Sequence, residues 1–410
     1  MLAVTESNPI VIRGGLVWDA EGRTFRPGLA VRLAGGQIGA LRPEMAALPG
    51  DRVIDASGCF LLPGLIDCHV HIVSSGEAGD LNRAGQEPIA LRALRAATHA
   101  RKTVMAGFTT VRDLGAPGQM NVHLATAIDQ GLVVGPRILA AGMGVTMTGG
   151  HGHGFLAREA DGPDEVRKAV REQLRAGAKA IKLFASGGVM TPGVDPKSPS
   201  FTEDELRAGV EEAHKAFRVV GAHAQATDGI KNAIRAGVDS IEHGVWLDEE
   251  AIAMMVARGT YLVATLTAPA VMAERGASEG VAPYAVEKSN LVLADHIASF
   301  RAAVRAGVRV AMGTDQGTPL NRPGENAQEI FRMAANGLTA AQAILAATKW
   351  AAELLQLPAG LIAPGRYGDL IAVRGDPLAD LTTLSDPALV IAGGAVVRNE
   401  LPEFSQEASP

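Results

Sequence analysis

Apolar segments alternate with amphipathic ones through most of the chain, and one pattern marks their boundaries. Helical segments end on a small residue and Gly, and a short apolar strand follows, as at Ala176-Gly177 and Ala236-Gly237. Gly suits the left-handed residue that ends a helix. Eight such strands alternate with helices, near residues 61–67, 109–111, 137–141, 180–184, 219–224, 240–243, 261–266 and 308–312. The pattern predicts an α/β fold of the (β/α)8 TIM barrel type, with a doubly wound open sheet as its competitor.

Both ends of the chain have a different pattern. Short alternating segments separated by turns occur at 10–17 and 29–33, and similar segments return at 368–373 and 389–394. We therefore expect a small composite β domain, a β-sandwich. Its predicted boundaries are residues 1–62 and 364–410, around a barrel of residues 63–363. The polar stretch from about Leu401 is expected to be frayed.

Composition narrows the class of protein. The chain has 410 residues, 47% of them hydrophobic and 20% charged, which is typical of a globular protein with a large core. The net charge of −6 is spread without a basic run, which argues against nucleic acid or an anionic membrane as partner. No secretory signature or bilayer-spanning stretch is seen, so we expect a cytoplasmic protein. Cys59 and Cys68 are then expected to be buried and unpaired.

The segment 61–71 carries the first chemical signal, the pair His69 and His71 at the end of an apolar run. Side chains two residues apart on a strand project from the same face, so both imidazoles lie on one side. A shared divalent metal explains such a pair, although buried histidines are often simply hydrogen-bonded.

Four further polar residues lie in or just after other predicted strands. Lys182, His223, His243 and Asp315 each lie in or directly after an apolar segment. In a barrel the active site gathers at the C-terminal ends of the strands, so all six residues are expected at one rim. Lys182 could simply extend its ammonium to solvent. A desolvated lysine also loses its proton more easily and can react with CO2 to form a carbamate, an anion suited to bridging two metals.

These motifs resemble the amidohydrolase superfamily, and more narrowly its binuclear members with a carboxylated lysine on the fourth strand. The segments 147–152, 181–188 and 240–244 resemble the branch of metal-dependent Xaa-Pro dipeptidases and aminoacyl carboxypeptidases, with imidazolonepropionase-like proteins as neighbours. The resemblance covers almost the whole chain.

The resemblance implies a role for each residue of the set. His69, His71 and Asp315 would hold the more buried metal, and His223 and His243 the more exposed one, with carboxylated Lys182 bridging. Two divalent ions, zinc by default, would supply a bridging hydroxide as nucleophile. Asp315 would take its proton and pass it to the leaving amine.

Three more residues are candidates for contact with the substrate. In the family a histidine of the Thr-Gly-Gly-His segment lies beside the substrate carbonyl, which favours His151 as polariser over His153. Hydration in a flexible loop is the ordinary alternative for both. Arg112 could bind a substrate carboxylate, but an ion pair with Asp113 is the preferred interpretation.

Together these inferences predict a metal-dependent hydrolase that cleaves the amide bond of a dipeptide or an N-acyl amino acid. The expected partner is this small-molecule substrate, within a homo-oligomer and without nucleic acid or membrane. Alternatives are a hydrolase of a cyclic amide, carbamate or xenobiotic amide, a mononuclear deaminase-type enzyme, and a non-catalytic binding protein on the same fold.

Overall fold

The computed structural model describes residues 8–43, 45–80 and 87–405. The strands in these ranges are β1 (Ile10–Arg13), β2 (Leu16–Asp19), β3 (Thr24–Arg26), β4 (Ala30–Ala34), β5 (Gln37–Arg42), β6 (Arg52–Asp55), β7 (Cys59–Pro63), β8 (Leu65–Val70), β9 (Phe108–Asp113), β10 (Arg137–Ala140), β11 (Gly144–Thr146), β12 (Ala157–Glu159), β13 (Ala180–Phe184), β14 (Val219–Ala224), β15 (Ser240–His243), β16 (Tyr261–Val263), β17 (Leu370–Arg374), β18 (Leu389–Ala392), β19 (Ala395–Asn399) and β20 (Glu403–Ser405).

The helices of the same ranges are α1 (Ile89–Met105), α2 (Met120–Asp129), α3 (Gly162–Ala176), α4 (Glu203–Lys215), α5 (Thr227–Ala236), α6 (Glu249–Arg258), α7 (Thr267–Arg275), α8 (Pro283–Arg305), α9 (Ala327–Ala335), α10 (Ala340–Ala346) and α11 (Lys349–Leu354). Two 3-10 helices cover Pro117–Gln119 and Leu381–Ser385. Within the described ranges, none of the helices combines the length and the apolar character that crossing a bilayer requires.

The central strands run parallel in two arcs, and helices connect most of the successive strands. One arc is β10-β9-β8, and the other is β12-β11-β13-β14-β15-β16. Across the gap between the arcs, the Lys179 amide donates to the Ala140 carbonyl at 2.7 Å. The α/β fold of the (β/α)8 type is confirmed, although the strand ladders do not form one closed ring.

The eighth predicted strand, at 308–312, is an extended segment rather than a regular strand. A single bridge pairs Val310 with Leu262, next to β16. On the other side, the Cys68 amide of β8 donates to the Met312 carbonyl at 2.8 Å. The segment therefore occupies the eighth position between β16 and β8, but the prediction of a regular strand there was wrong.

Glycine ends the helices where the sequence pattern placed it. Gly177 follows α3 with φ of 105°, and Gly237 follows α5 with φ of 93°. These left-handed conformations strain any residue with a Cβ, so glycine ends each helix and releases the chain into β13 or β15. The first predicted strand, 61–67, is instead split at Gly64 into β7 and β8.

Two further sheets combine strands from both ends of the chain. One has the order β20-β6-β1-β4-β5, and the other has the order β19-β18-β17-β7-β2-β3. The second pairs β7 with β17 over Cys59–Pro63 and Leu370–Arg374. The composite β region is confirmed, and the domain boundaries at 62/63 and 363/364 stay predictions. The expectation of fraying from Leu401 was wrong for β20, because that strand pairs with β6.

The sheet of β19-β18-β17-β7-β2-β3 is buried on both faces at its central strands β18, β17 and β7. Leu61 and Leu370 pack in a hydrophobic cluster with strands of the five-stranded sheet. Their neighbours Leu62 and Ile371 point the other way and pack in the barrel core. This alternation explains the unbroken apolar runs of β7 and β17, and it fixes the β region to the barrel.

Candidate metal centre

The C-terminal ends of the parallel strands carry the predicted ligands. His69 lies on β8, Lys182 on β13 and His223 on β14, and His243 is the last residue of β15. His71 directly follows β8, and Asp315 follows the extended segment 308–312 that occupies the eighth strand position. All six side chains border one cavity. The structure therefore brings together the whole predicted ligand set.

Two of these residues owe their direction to an unusual backbone. Successive side chains of a strand point to opposite faces, so Glu242 and His243 of β15 should diverge. His243 has φ of 73° and Asp315 has φ of 60°, both in the left-handed region that non-glycine residues rarely adopt. This turn lets His243 face the cavity although Glu242, one residue earlier, points into the barrel. Such strain is typical of functional sites.

The ligand atoms converge around Asp315. Its Oδ1 lies 3.3 Å from His71 Nε2 and 3.4 Å from His69 Nε2. Ligand atoms of His69, His243 and Asp315 all lie within 4.8 Å of one another. The His223 and His243 rings have centroids 4.5 Å apart. Nitrogen and carboxylate oxygen atoms at this spacing are a donor set for a divalent cation.

Hydrogen bonds orient the imidazoles on the first strand with a lone pair toward the cavity. His69 Nδ1 donates to Glu242 Oε2 at 2.8 Å, and His71 Nδ1 donates to the Gly115 carbonyl at 3.0 Å. In each ring the proton is thereby fixed on Nδ1, and Nε2 is left as a potential ligand.

The rings on β14 and β15 are fixed in the same manner. Thr265 gives its hydroxyl proton to the Ala264 carbonyl, so its oxygen accepts from His243 Nδ1 at 2.7 Å. His223 is oriented by its other nitrogen, since Nε2 donates to the Gly187 carbonyl at 2.8 Å and Nδ1 stays free to ligate. Neutral, fixed imidazoles are the form that binds a metal.

Electrostatics keep three of the four ligand histidines neutral and the aspartate ionised. His71 differs, since burial lowers its pKa but the hydrogen bond and charge of Asp315 outweigh burial and raise it. Burial lowers the pKa of His69, His223 and His243 well below the ordinary value, so each stays unprotonated at neutral pH. Burial opposes ionisation of Asp315 too, but the nearby His69, His71 and Lys182 outweigh it and lower its pKa.

Lys182 is the one lysine among the described residues that border the cavity, and its side chain is fully buried. Its Nζ lies 3.5 Å from His69 Nε2. Burial lowers the pKa of Lys182 to about 8, opposed by the charges of Glu242 and Asp315. A larger neutral fraction than usual is therefore present near neutral pH, and this is the form of the amine that reacts with CO2.

The two loop histidines separate. His151 borders the cavity, its ring centroid lies 4.5 Å from that of His223, and its Nδ1 is 2.8 Å from Thr191 Oγ1. Burial lowers the pKa of His151 to about 3, so the ring is neutral. His153 is not among the cavity residues and bonds locally to the Gly150 carbonyl at 2.7 Å. The structure therefore places His151 at the site and leaves His153 in its loop.

Arg112 lies inside the barrel, away from the cavity. Its side chain is fully buried, and Nη2 donates to Glu242 at 2.8 Å while Nε donates to the Cys68 carbonyl at 2.6 Å. The predicted pairing with Asp113 was wrong, because neighbours on β9 point to opposite faces. With its donors committed to the interior, Arg112 is also unavailable to a substrate carboxylate.

The sequence reasoning missed Glu242. This fully buried carboxylate accepts from His69, Arg112 and Ser240, and so joins a ligand to the interior of the barrel. Gly221 of β14 makes room for it, since a Cβ there would lie 2.7 Å from Glu242 Oε1. A charged residue directly before His243 in an apolar strand was the available signal.

The cavity itself is small and its wall is apolar. It holds about 60 Å³ of water-accessible space above the ligands. Its apolar lining comprises Phe155, Leu156, Phe184, Val189, Met190, Val245, Ala268, Pro269, Met272 and Val292. A larger cleft of about 910 Å³ lies at the opposite ends of the strands, beside Asp239, Tyr261 and Arg309, and none of the ligands reaches it. Chemistry therefore points to the smaller cavity.

Comparisons with known proteins agree with this geometry. The model of the amidohydrolase family matches residues 60–397. Ochratoxinase of Aspergillus niger is 34% identical over 419 residues, which cover 94% of this chain and 85% of that protein. An uncharacterised protein of Mycobacterium bovis is 31% identical over 345 residues, which cover 84% of this chain and 86% of that protein.

Two solved structures show the same fold at similar identity. A Xaa-Pro dipeptidase with methionine bound in its active site is 34% identical, with a TM-score of 0.86 over 95% of this chain and 99% of that one. A prolidase in complex with N-methylphosphonate-L-proline is also 34% identical, with a TM-score of 0.88 over 96% of this chain and 100% of that one.

Proposed function

Because the chain belongs to the amidohydrolase family, we propose that it hydrolyses the amide bond of a dipeptide or an N-acyl amino acid. It is a hydrolase of carbon–nitrogen bonds, and the substrate is the part that we infer. One observation carries the proposal: six candidate ligands surround a single cavity, and hydrogen bonds on the opposite ring nitrogens orient the four imidazoles among them. The names of the dipeptidase and prolidase relatives support the choice of substrate.

The donor set fits two divalent ions, with zinc as the first choice for nitrogen and oxygen ligands. His69, His71 and Asp315 would hold one ion, and His223 and His243 the other. Lys182, once carboxylated, would supply an anion to both. When bound, the ions make a water nucleophilic near neutral pH and polarise the substrate carbonyl.

Asp315 is placed to move the proton. It stays ionised despite burial, and it faces two imidazoles at 3.3 and 3.4 Å. We assign to it acceptance of the proton from the attacking water and its delivery to the leaving amine. Removing the carboxylate by Asp315→Asn should lower kcat by about three orders of magnitude, because an acid–base group and a ligand are lost together.

His151 is placed to stabilise charge on the substrate oxygen. The ring is neutral and borders the cavity, and its proton lies on Nε2 when Nδ1 accepts from Thr191. Gly188 has no side chain at this point, and a Cβ there would lie 2.5 Å from His151 Nε2. A hydrogen bond that strengthens as the carbonyl oxygen gains charge acts on kcat rather than on KM.

The test is a substrate library assayed with zinc-loaded protein, comprising dipeptides and N-acyl amino acids with apolar side chains. Asp315→Asn protein purified in parallel controls for contaminating hydrolases. We expect turnover by the native chain, release of a free amino acid and two zinc ions per chain. One zinc per chain with deaminase activity, or turnover confined to carbamates and cyclic amides, would contradict the proposal.

A further inference from the structure

Three polar side chains that border the cavity, Gln225, His296 and Thr318, lie outside the ligand set and His151. Gln225 is only 5% exposed, and its Oε1 has no hydrogen-bond partner among the described residues. It follows His223 by two residues, just past the end of β14, and both side chains border the cavity. A buried carbonyl oxygen without a partner is costly, so a partner from the bound ligand is physically favoured.

The surroundings of Gln225 define what that partner can be. Apart from the ligands and His151, the described lining is apolar except for Gln225, His296 and Thr318. His296 is occupied as a donor, since its Nε2 donates to the His243 carbonyl at 2.9 Å, and its Nδ1, which has no partner among the described residues, carries no proton in the neutral ring. The ammonium group of Lys288 is likewise occupied, by the carbonyls of Thr191 and Val194 at 2.8 and 2.6 Å. The protein therefore leaves an acceptor in an apolar wall and supplies no donor for it.

We propose that Gln225 is a specificity-determining residue that accepts a hydrogen bond from an N–H group of the substrate. The inference rests on the proposed amide hydrolysis and adds a requirement to it. A dipeptide offers two such donors, the N–H of the scissile amide and the free α-amino group. A tertiary amide such as an Xaa-Pro bond lacks the first, and an N-acyl amino acid lacks the second.

A site built to bond an N–H rejects an analogue without it, because the buried acceptor is then left unpaired. Gln225 therefore discriminates by chemistry that the apolar wall cannot supply. A methyl group in place of the hydrogen is also held away from the carboxamide by its size.

Three matched compounds separate the two donors: alanyl-leucine, alanyl-N-methylleucine and propionyl-leucine. We expect the native protein to prefer alanyl-leucine by about 10- to 100-fold in kcat/KM over the compound that lacks the recognised donor. In Gln225→Met, which keeps the length of the side chain without its oxygen, this preference should disappear. The ratio of two substrates in one preparation does not depend on the fraction of active protein.

Gln173→Met is the matched control. Gln173 is also buried, but its carboxamide oxygen accepts from the Met143 amide at 2.9 Å, outside the cavity. The Gln173→Met variant should keep the preference of the native protein for alanyl-leucine. A preference equal in the native and Gln225→Met proteins overturns the inference.

Binding separates this inference from the proposed function. Calorimetric dissociation constants of the same three compounds are measured with zinc-loaded native and Gln225→Met proteins. Loss of discrimination in Gln225→Met supports the role of Gln225 even where no compound is turned over, in which case the proposed function alone fails. Discrimination that survives the substitution removes the role of Gln225 whatever the turnover.

Discussion

At the scale of the residue, the site depends on how each side chain is neutralised or oriented. Burial keeps His69, His223 and His243 unprotonated, while their second nitrogens are held by oxygen acceptors. Among the described residues no oxygen acceptor is bonded to Lys182 Nζ, and its one hydrogen-bonding contact is with the imidazole of His69. The side chain of Lys182 is therefore suited to react with CO2 and form a carbamate.

Lys182→Ala removes the amine that is proposed to form the bridging carbamate. We expect the variant to lose at least one of the two zinc ions and to lose turnover, because two cations then face each other without an anion between them. Added short carboxylic acids should partly restore both. Metal content by elemental analysis and amidase rate are the measurements, and a fully active two-zinc Ala variant would contradict the bridge.

Carboxylation of Lys182 in the metal-free protein should depend on pH. The neutral amine reacts, and a pKa of about 8 makes about a tenth of it neutral at pH 7 and half of it neutral at pH 8. At a fixed concentration of dissolved CO2, the initial rate should rise between pH 7 and 8 and level off above 9. The rate is followed by 13C NMR with labelled CO2. A rate still rising steeply at pH 10 would indicate an ordinary, solvated lysine.

At the scale of the element, β14 and β15 act as one unit. Gly221 lies opposite Ser240, and the space above it holds the carboxylate of Glu242 and the guanidinium of Arg112. Glu242 in turn holds His69. A change on β14 therefore reaches a ligand on β8 through one ion pair.

Gly221→Ala tests this connection. The new Cβ would lie 2.7 Å from Glu242 Oε1 and 3.2 Å from Arg112 Nη1, so the ion pair must shift. We expect a loss of about 1–3 kcal/mol in the free energy of unfolding, typical of overpacking, together with weaker zinc binding. The control is Gly39→Ala on β5, where the nearest atom lies 3.7 Å from the new Cβ. Equal thermal midpoints for the two variants would count against the connection.

The sequence predicts these elements better than it predicts the contacts between them. Apolar runs that end in His, Lys or Asp were enough to place the six ligands at one rim, because parallel strands share their C-terminal edge. The pairing of Arg112 with Glu242 joins β9 to β15, so it depends on the curvature of the barrel and not on spacing along the chain. Strand alternation alone, however, already excluded the pairing of Arg112 with Asp113.

Left-handed backbone conformations of non-glycine residues are a second feature that the sequence did not predict. The composition of the segment 308–312 predicts a strand, yet the segment forms a single bridge. The chain then turns at Asp315, which has φ of 60°. Aspartate adopts this conformation more readily than most residues, but nothing in the local sequence requires it. The surrounding structure imposes this conformation on Asp315. The sequence therefore predicted Asp315 as a candidate ligand but did not predict its backbone conformation.

At the scale of the whole molecule, we expect metal binding and folding to be linked. Ligands from β8, β13, β14, β15 and the segment after the eighth position come together only in the folded barrel. An ion that binds the folded state stabilises it, by about 4 kcal/mol at a thousandfold excess over its Kd.

Removal of the metal by a chelator should therefore lower the thermal midpoint of the native protein, and added zinc should restore it. Differential scanning calorimetry at fixed pH and protein concentration is the measurement. Lys182→Ala, with its weakened site, should show a much smaller difference between zinc and chelator. If the thermal midpoint of the native protein were identical with zinc and with chelator, the six candidate ligands would not bind zinc in the folded state. The oligomeric state stays a prediction that sedimentation can test on the same samples.

The sheets that join both ends of the chain have a consequence for how the protein is made. β6 pairs with β20, where Arg52 and Glu403 are bonded although they lie 351 residues apart, and β7 pairs with β17. On the ribosome, β6 and β7 emerge long before these partners, and their apolar faces have to wait for the whole barrel to be synthesised. Contacts this distant in sequence slow folding and leave strand edges exposed meanwhile. We therefore expect the newly made N-terminal segment to be prone to aggregation until the C-terminal strands are added.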